Sequence, residues 1–261
     1  MDLDLAGRKV IVSGGASHIG RAIAFSFAEE GAVVSILDCD TSQASRTVAD
    51  IAAVGGKAEA FDADVTDLRS IEQAVGQVEM RFGAIDILVN NVGWNGRQHF
   101  FLELDAGRWN RSYRLNLFSV LGMTRRVLPG MVERCSGSII NIASDAAFGD
   151  YRVSDYGAMK AGVLSFTRSI AHEYGRYGVR VNAVSPGMVL PERSEIGEGS
   201  LWAEDTGLGP TQIINIEART PLRRRTQAAD VASAVVFLAS SRARQLTGQV
   251  LSVSGGFQMP R

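Results

Sequence analysis

Short β-branched runs alternate along this chain with longer stretches of helical periodicity, and that alternation restricts the fold more than any other feature. Lys9-Val-Ile-Val-Ser, Ala32-Val-Val-Ser-Ile-Leu, Lys57-Ala-Glu-Ala-Phe, Ile85-Asp-Ile-Leu-Val, Ser138-Ile-Ile-Asn-Ile, Val179-Arg-Val-Asn-Ala-Val and Gln249-Val-Leu-Ser-Val read as strands, seven in all. Most are apolar enough to be buried on both faces. Between them, Arg21 to Glu30, Ser42 to Val54, Leu68 to Phe82, Ala106 to Val127, Tyr156 to Tyr174 and Ala228 to Ser240 carry apolar residues at helical intervals. Strands buried on both sides need cover on both sides, so the expectation is an α/β fold, a doubly wound parallel sheet flanked by helices on both faces. The 261 residues suit one such domain, spanning 1–261. The alternation breaks only around 188–221, a Gly-, Glu- and Pro-containing insertion. A long insertion in a compact fold more often covers a site than separates domains.

Composition excludes several classes. A net charge of −1, with 21% charged and 46% hydrophobic residues, gives no basic surface for nucleic acid or an anionic membrane. No apolar run is long enough to span a bilayer, and the acidic start does not read as a signal peptide. Cys39 and Cys135 form no Cys-x-x-Cys motif and read as free thiols of a reducing, cytoplasmic compartment. His99 and His172 have no ligand cluster around them, so no metal site is expected. The Gly-x-Ser-x-Gly elbow of a hydrolase is missing.

The first strand runs through Ser13-Gly-Gly-Ala-Ser-His-Ile-Gly20 directly into a helix. In that context a glycine-rich turn lets a helix N-terminus approach a pyrophosphate and offer its free amides. Asp38 closes the second strand, where a carboxylate accepts hydrogen bonds from an adenosine ribose and repels a 2′-phosphate. NAD is therefore expected over NADP. Further on, Tyr156 and Lys160 stand four residues apart, which on a helix stacks a phenol and an ammonium on one face. A fixed positive charge favours the phenolate and equips the pair for proton transfer.

With these motifs in hand, the chain resembles the classical short-chain dehydrogenase/reductase family over essentially its whole length. The motifs occur in family order: the turn from Ser13 to Gly20, Asp64-Val65, Asn90-Asn-Val-Gly93, Asn116, Ser144, Tyr156-x-x-x-Lys160 and Pro186-Gly187. The resemblance implies a single Rossmann-type domain and an NAD-dependent oxidoreductase that interconverts a secondary alcohol and a ketone. It implies Asn116, Ser144, Tyr156 and Lys160 as catalytic residues. Tyr156 would exchange the proton, Ser144 would hold the substrate oxygen, and Lys160 would bind the nicotinamide ribose and steady the tyrosinate. Asn116 would anchor a water leading to Lys160. Cofactor contacts would come from Gly14, Ser17, His18, Ile19, Gly20, Asp38, Asp64, Val65, Asn91, Gly93, Tyr156, Lys160, Pro186, Gly187 and Val189. Substrate contacts would come from Trp94, Ser144, Asp145, Ala146, Tyr156 and Met188, with Leu201 and Trp202 in an insertion that closes over the nicotinamide.

Three positions depart from the family pattern. His18 replaces the second glycine of the turn, Val92 replaces the common alanine of Asn-Asn-Ala-Gly, and Pro191 stands where a threonine often binds the carboxamide. Histidine enters left-handed conformations more readily than most residues, so the turn is expected to survive, with the imidazole toward the pyrophosphate or the adenosine. Ser17 sits where NADP-preferring relatives often carry arginine, which agrees with Asp38. Stretches such as Ile142-Ala-Ser-Asp-Ala-Ala147 resemble the subgroup that oxidises alicyclic hydroxyacyl-CoA thioesters. Arg219, Arg223, Arg224 and Arg225 fit either an anionic carrier or a solvated face. The alternatives are an NADPH-dependent 3-oxoacyl-carrier-protein reductase and a non-catalytic NAD-binding protein. Family members are commonly tetramers, and a homotetramer is the expected assembly.

Overall fold

The computed structural model describes residues 2–191, 196–203 and 209–259, with Trp202 described in its backbone alone. Strands β1 (Lys9–Ser13), β2 (Val33–Asp38), β3 (Lys57–Asp62), β4 (Ile87–Asn90), β5 (Gly137–Ile142), β6 (Val179–Pro186) and β7 (Val250–Val253) form a seven-stranded sheet. Their order is β3-β2-β1-β4-β5-β6-β7, and every pairing is parallel. Helices α1 (His18–Glu29), α2 (Thr41–Ala53), α3 (Leu68–Phe82), α4 (Ala106–Tyr113), α5 (Ser119–Glu133), α6 (Ser154–Tyr174) and α8 (Ala228–Ala239) pack on the two faces, and α7 (Pro210–Arg219) lies in the insertion.

Alternation along the strands feeds two cores. Val10 and Val12 of β1 face one side with Val34, Ile36, Phe27 of α1 and Val235 of α8. Ile11 between them faces the other, with Leu37, Leu88, Val75 of α3 and Met131 of α5. This period-two division is what a parallel sheet covered on both faces requires. The edge strand β3 is half-exposed along most of its length, which accounts for its Ala-Glu-Ala pattern.

Two elements differ from the sequence expectation. The helix expected over 106–127 runs to Glu133 and is interrupted by a π turn at Arg114–Phe118, with Asn116 buried inside it. Pro129 and Gly130 would normally stop a helix near 127. Burial of Leu128 and Met131 overrides that preference. The insertion at 188–221, read only as a break in the alternation with no helix marked in it, contains α7, which begins at Pro210 and is capped where Gln212 Oε1 accepts from the Gly209 N–H at 2.6 Å. No α7 residue is fully buried, so its apolar stripe is weak in sequence.

A buried polar chain ties the sheet to the helix carrying Tyr156 and Lys160. Asn90 Nδ2 donates to Asn141 Oδ1 at 2.8 Å and to Thr124 Oγ1 at 3.2 Å, while Asn141 Nδ2 donates to Thr167 Oγ1 at 2.9 Å. These bonds join β4, β5, α5 and α6 across the core. Asn141→Leu leaves the Asn90 amide without its main acceptor, and denaturant unfolding should show a loss of about 1–3 kcal/mol. A loss within error would mean that the chain does not hold α6 to the sheet.

Candidate active site

The strand order reverses between β1 and β4, and both run into loops at the carboxyl edge of the sheet. That is where open α/β sheets leave a crevice for ligands. Gly14 leaves β1 with φ +64°, a left-handed conformation open to glycine. A Cβ on Gly20 would overlap the Gly14 carbonyl oxygen, so α1 approaches the turn as closely as backbone allows. Asn91 clamps the same turn from β4: its Nδ2 donates to Ser13 O at 3.2 Å and to Gly14 O at 3.0 Å. Asp38, at the end of β2, accepts from the Ala16 N–H at 3.0 Å and from the Asp40 N–H at 3.0 Å. Burial raises its pKa above the ordinary carboxylate value, against the lowering effect of these amides.

At the other end of the crevice, β5 delivers Ser144 and α6 delivers Tyr156 and Lys160. The Ser144 side chain hydrogen-bonds the Tyr156 phenol, and its Oγ accepts the Ala146 N–H at 3.2 Å. Lys160 Nζ donates to Ile142 O at 2.8 Å and lies 5.8 Å from the centre of the Tyr156 ring. Lys160 is 1% exposed, and burial lowers its pKa to about 7. Burial raises that of Tyr156, with the Ser144 hydrogen bond acting in the opposite direction. A Cβ on Gly93 would lie 3.1 Å from Lys160 Nζ and 3.2 Å from Asn116 Oδ1, so this glycine leaves the room between them.

A single cleft joins the two ends. It encloses about 1130 Å³ of empty space, its open mouth included, and runs from Gly14, Ser17 and Asp38 to Ser144, Tyr156 and Lys160. The residues fit an extended dinucleotide. The first-turn amides of α1 face one end, a carboxylate stands at β2, and a buried ammonium with Ile142 O as its acceptor has N–H donors to spare at the other.

Comparison with known proteins agrees with this geometry. The family model described as enoyl-(acyl carrier protein) reductase matches residues 14–258. The chain belongs to the classical short-chain dehydrogenase/reductase family. It is 37% identical to the uncharacterized oxidoreductase YhdF of Bacillus subtilis (strain 168), covering 97% of this chain and 84% of that one. It is 33% identical to the 3-oxoacyl-(acyl-carrier-protein) reductase FabG of Thermotoga maritima, covering 97% and 98%. To the 2,3-dihydro-2,3-dihydroxybenzoate dehydrogenase of Bacillus subtilis (strain 168) it is 34% identical, covering 97% and 96%. The crystal structure of gox2181 superposes with a TM-score of 0.89 at 32% identity, covering 98% of this chain and 97% of that one. This short-chain dehydrogenase/reductase is thus an oxidoreductase acting on CH–OH groups, of a family that binds a nicotinamide cofactor.

Within this family member, Gly14, Ser17, Ile19, Gly20, Asp38, Asp64, Val65, Asn91, Gly93, Trp94, Ser144, Tyr156, Lys160, Pro186, Gly187 and Val189 all line the cleft. Others do not. His18 has φ +52°, so it does take the left-handed conformation. The residue is 2% exposed and does not line the cleft, and burial lowers its pKa to about 4. Asn116 lies behind the wall: its Oδ1 accepts the Trp94 N–H and its Nδ2 donates to Trp94 O, both at 2.8 Å. Asp145 and Ala146, read as substrate contacts, do not line the cleft. The Asp145 carboxylate accepts from Ser185 Oγ at 3.0 Å, a bond that turns it under β6, and Ala146 turns its carbonyl to α6, where it abuts Gly157. Met188 lines a separate small cavity with Thr220 and Phe257. The Trp202 side chain lies outside the described residues. Leu201, read as part of the insertion over the nicotinamide, lines the cleft, and Cys39, Asn95, Leu115, Gly199 and Ser200 line it without having been singled out for it. Adjacency to Asp38 signalled Cys39, whereas Leu115 depends on a π turn that no periodicity announces.

Among the described residues no group of His, Cys, Asp and Glu could hold a metal ion, and no helix is long and apolar enough to cross a membrane.

Lys160 has a folded pKa of about 7 and an ordinary value of 10.5, so between those limits the unfolded chain binds more protons. Its cost to stability is full below pH 7 and fades as pH rises. Replacing it with Met removes the titration. The stability advantage of Lys160→Met over wild type should be greatest near neutrality and shrink toward pH 10, read from denaturant midpoints. A pH-independent difference would show that Lys160 is not buried as an amine.

Proposed function

We propose that this chain is an NAD-dependent oxidoreductase interconverting a secondary alcohol and a ketone, with Tyr156 as the acid/base. The observation that carries this reading is the Ser144 side chain hydrogen-bonded to the Tyr156 phenol, beside a buried Lys160, in the cleft that also holds the glycine turn and Asp38. When bound, the nicotinamide accepts or supplies the hydride. In reduction the Tyr156 hydroxyl gives its proton to the carbonyl oxygen; in oxidation the phenolate takes the alcohol proton. Ser144 donates to the same oxygen and aligns it. Lys160, protonated, stabilises the phenolate and offers its remaining N–H groups to ribose hydroxyls. Asn116 acts through position, holding the Trp94 backbone and the wall next to Lys160.

Asp38 supports NAD. Its carboxylate accepts two backbone amides and keeps lone pairs for ribose hydroxyls, while its charge opposes a 2′-phosphate. The apolar wall of Trp94, Leu115, Val189 and Leu201 suits a partly apolar ring. An alicyclic substrate, carried as a CoA thioester or free, agrees with the sequence resemblance and with the dihydrodihydroxybenzoate dehydrogenase relative. The second reading, an NADPH-dependent 3-oxoacyl-carrier-protein reductase, is favoured by the FabG relative and opposed by Asp38 and Ser17. A homotetramer in the cytoplasm completes the proposal; the exposed free thiols of Cys39 and Cys135 suit a reducing compartment.

Turnover with NADH should exceed turnover with NADPH on a panel of cyclic ketones, cyclic diols and hydroxyacyl-CoA thioesters; the reverse order favours the carrier-protein reductase. Tyr156→Phe should lower kcat by about 10²-fold or more and leave nucleotide binding by fluorescence titration largely intact. Substantial remaining activity would place the proton donor elsewhere. Because burial raises the Tyr156 pKa, its base form grows as pH climbs. kcat/KM for oxidation should therefore rise into the alkaline range while that for reduction falls, and profiles moving together would count against Tyr156 as the titrating group.

A further inference from the structure

The insertion is anchored at the nucleotide end of the cleft and not only near the reacting residues. Its described part, residues 196–203, forms a strap with two attachments. The Gly199 N–H donates to Asp40 Oδ2 at 3.2 Å, and Ser200 Oγ lies 3.2 Å from Ser17 Oγ. Both anchors are N-cap residues, Asp40 of α2 and Ser17 of α1. Asp40 divides its carboxylate between two tasks: Oδ1 caps α2 by accepting the Gln43 N–H at 3.0 Å, and Oδ2 holds the strap. The fit is close. A Cβ on Gly197 would overlap Asp40 Oδ2, and one on Gly199 would lie 3.1 Å from it.

Asp38 and Cys39 lie between the two anchors in the chain and share the cleft wall with Ser17, Gly199, Ser200 and Leu201. An acidic residue at the end of β2 is the acceptor for an adenosine ribose 2′-hydroxyl. A substituent on that oxygen would extend from Asp38 along the wall it shares with Gly199, Ser200 and Leu201 of the strap.

We propose that the strap at 196–203, latched to Asp40 and Ser17, is a second specificity determinant that selects a 2′-hydroxyl dinucleotide over a 2′-phosphorylated one and slows its release. This rests on the reading that the cleft takes NAD. Charge at Asp38 disfavours the phosphate, and the strap denies it room. Removing the Asp38 charge alone therefore leaves the second barrier standing.

The test uses the whole protein with NADH and NADPH as probes, reading affinity by nicotinamide fluorescence and release by stopped flow. Gly197→Val crowds Asp40 from the strap side and should speed NADH release about tenfold, the scale of one lost hydrogen bond to a charged group. Ser200→Ala removes the other anchor without adding bulk and should shift release in the same direction. Asp38→Ala should leave NADPH the weaker ligand, and Asp38→Ala with Gly197→Val should gain NADPH affinity by more than the product of the single effects. Unchanged release and an unchanged NADPH/NADH ratio in both strap variants would overturn the strap's role while leaving the NAD reading intact. A wild-type preference for NADPH would instead overturn the cofactor reading, and this proposal with it.

Discussion

The reversal of strand order between β1 and β4 is the constraint on which the rest of the molecule depends. Because the chain winds outward in opposite directions from these two neighbours, their helices diverge and a crevice opens above the carboxyl edge. Asn91 fixes the width of that crevice by bonding across it to the carbonyls of Ser13 and Gly14. The glycine turn is thus held by β4 and by Leu37 of β2, whose carbonyl accepts the Gly14 N–H at 2.8 Å. Three strands define where a phosphate can approach α1, so the turn tolerates His18 in place of a glycine: its left-handed φ is imposed from outside, and its ring goes into the core.

Burial of Lys160 is the energetic counterpart. An ammonium withdrawn from water is costly, and its hydrogen bond to Ile142 O offsets part of that cost. The Asn90–Asn141–Thr167 chain and the two sheet cores hold α6 in place against this cost. A site that keeps an under-coordinated cation beside a desolvated phenol is built for groups that arrive later, and ribose hydroxyls and a substrate oxygen supply what the protein leaves out.

How much of this was legible in the sequence follows from what each pattern encodes. The strands were readable because burial on both faces demands unbroken apolar runs, and α3 begins and ends at the residues its periodicity marks, Leu68 and Phe82. The fourth helix was not, because a π turn at 114–118 and continuation through Pro129 are decided by tertiary packing around Asn116 and Met131. Tyr156 and Lys160 were legible through their spacing; the placements of Asp145, Met188 and the strap were not, since neighbours in sequence need not share a cavity.

Asp145 shows why that last distinction matters chemically. Ser144 is extended, with φ −169° and ψ 152°, so the side chains of Ser144 and its successor leave the chain in opposite directions. Ser144 enters the cleft, and Asp145 goes under the sheet edge, accepting from Ser185 of β6 at 3.0 Å and Ser252 of β7 at 3.4 Å. Burial pushes its carboxyl up to about 6, the cost of placing an acid where it can reach two neighbouring strands. The serine that meets the phenol is therefore positioned by the ends of β5, β6 and β7 together. A local turn alone would let Ser144 drift by the fraction of an ångström that separates a productive hydrogen bond from a broken one. Joining three strands behind it converts a loop residue into part of the sheet.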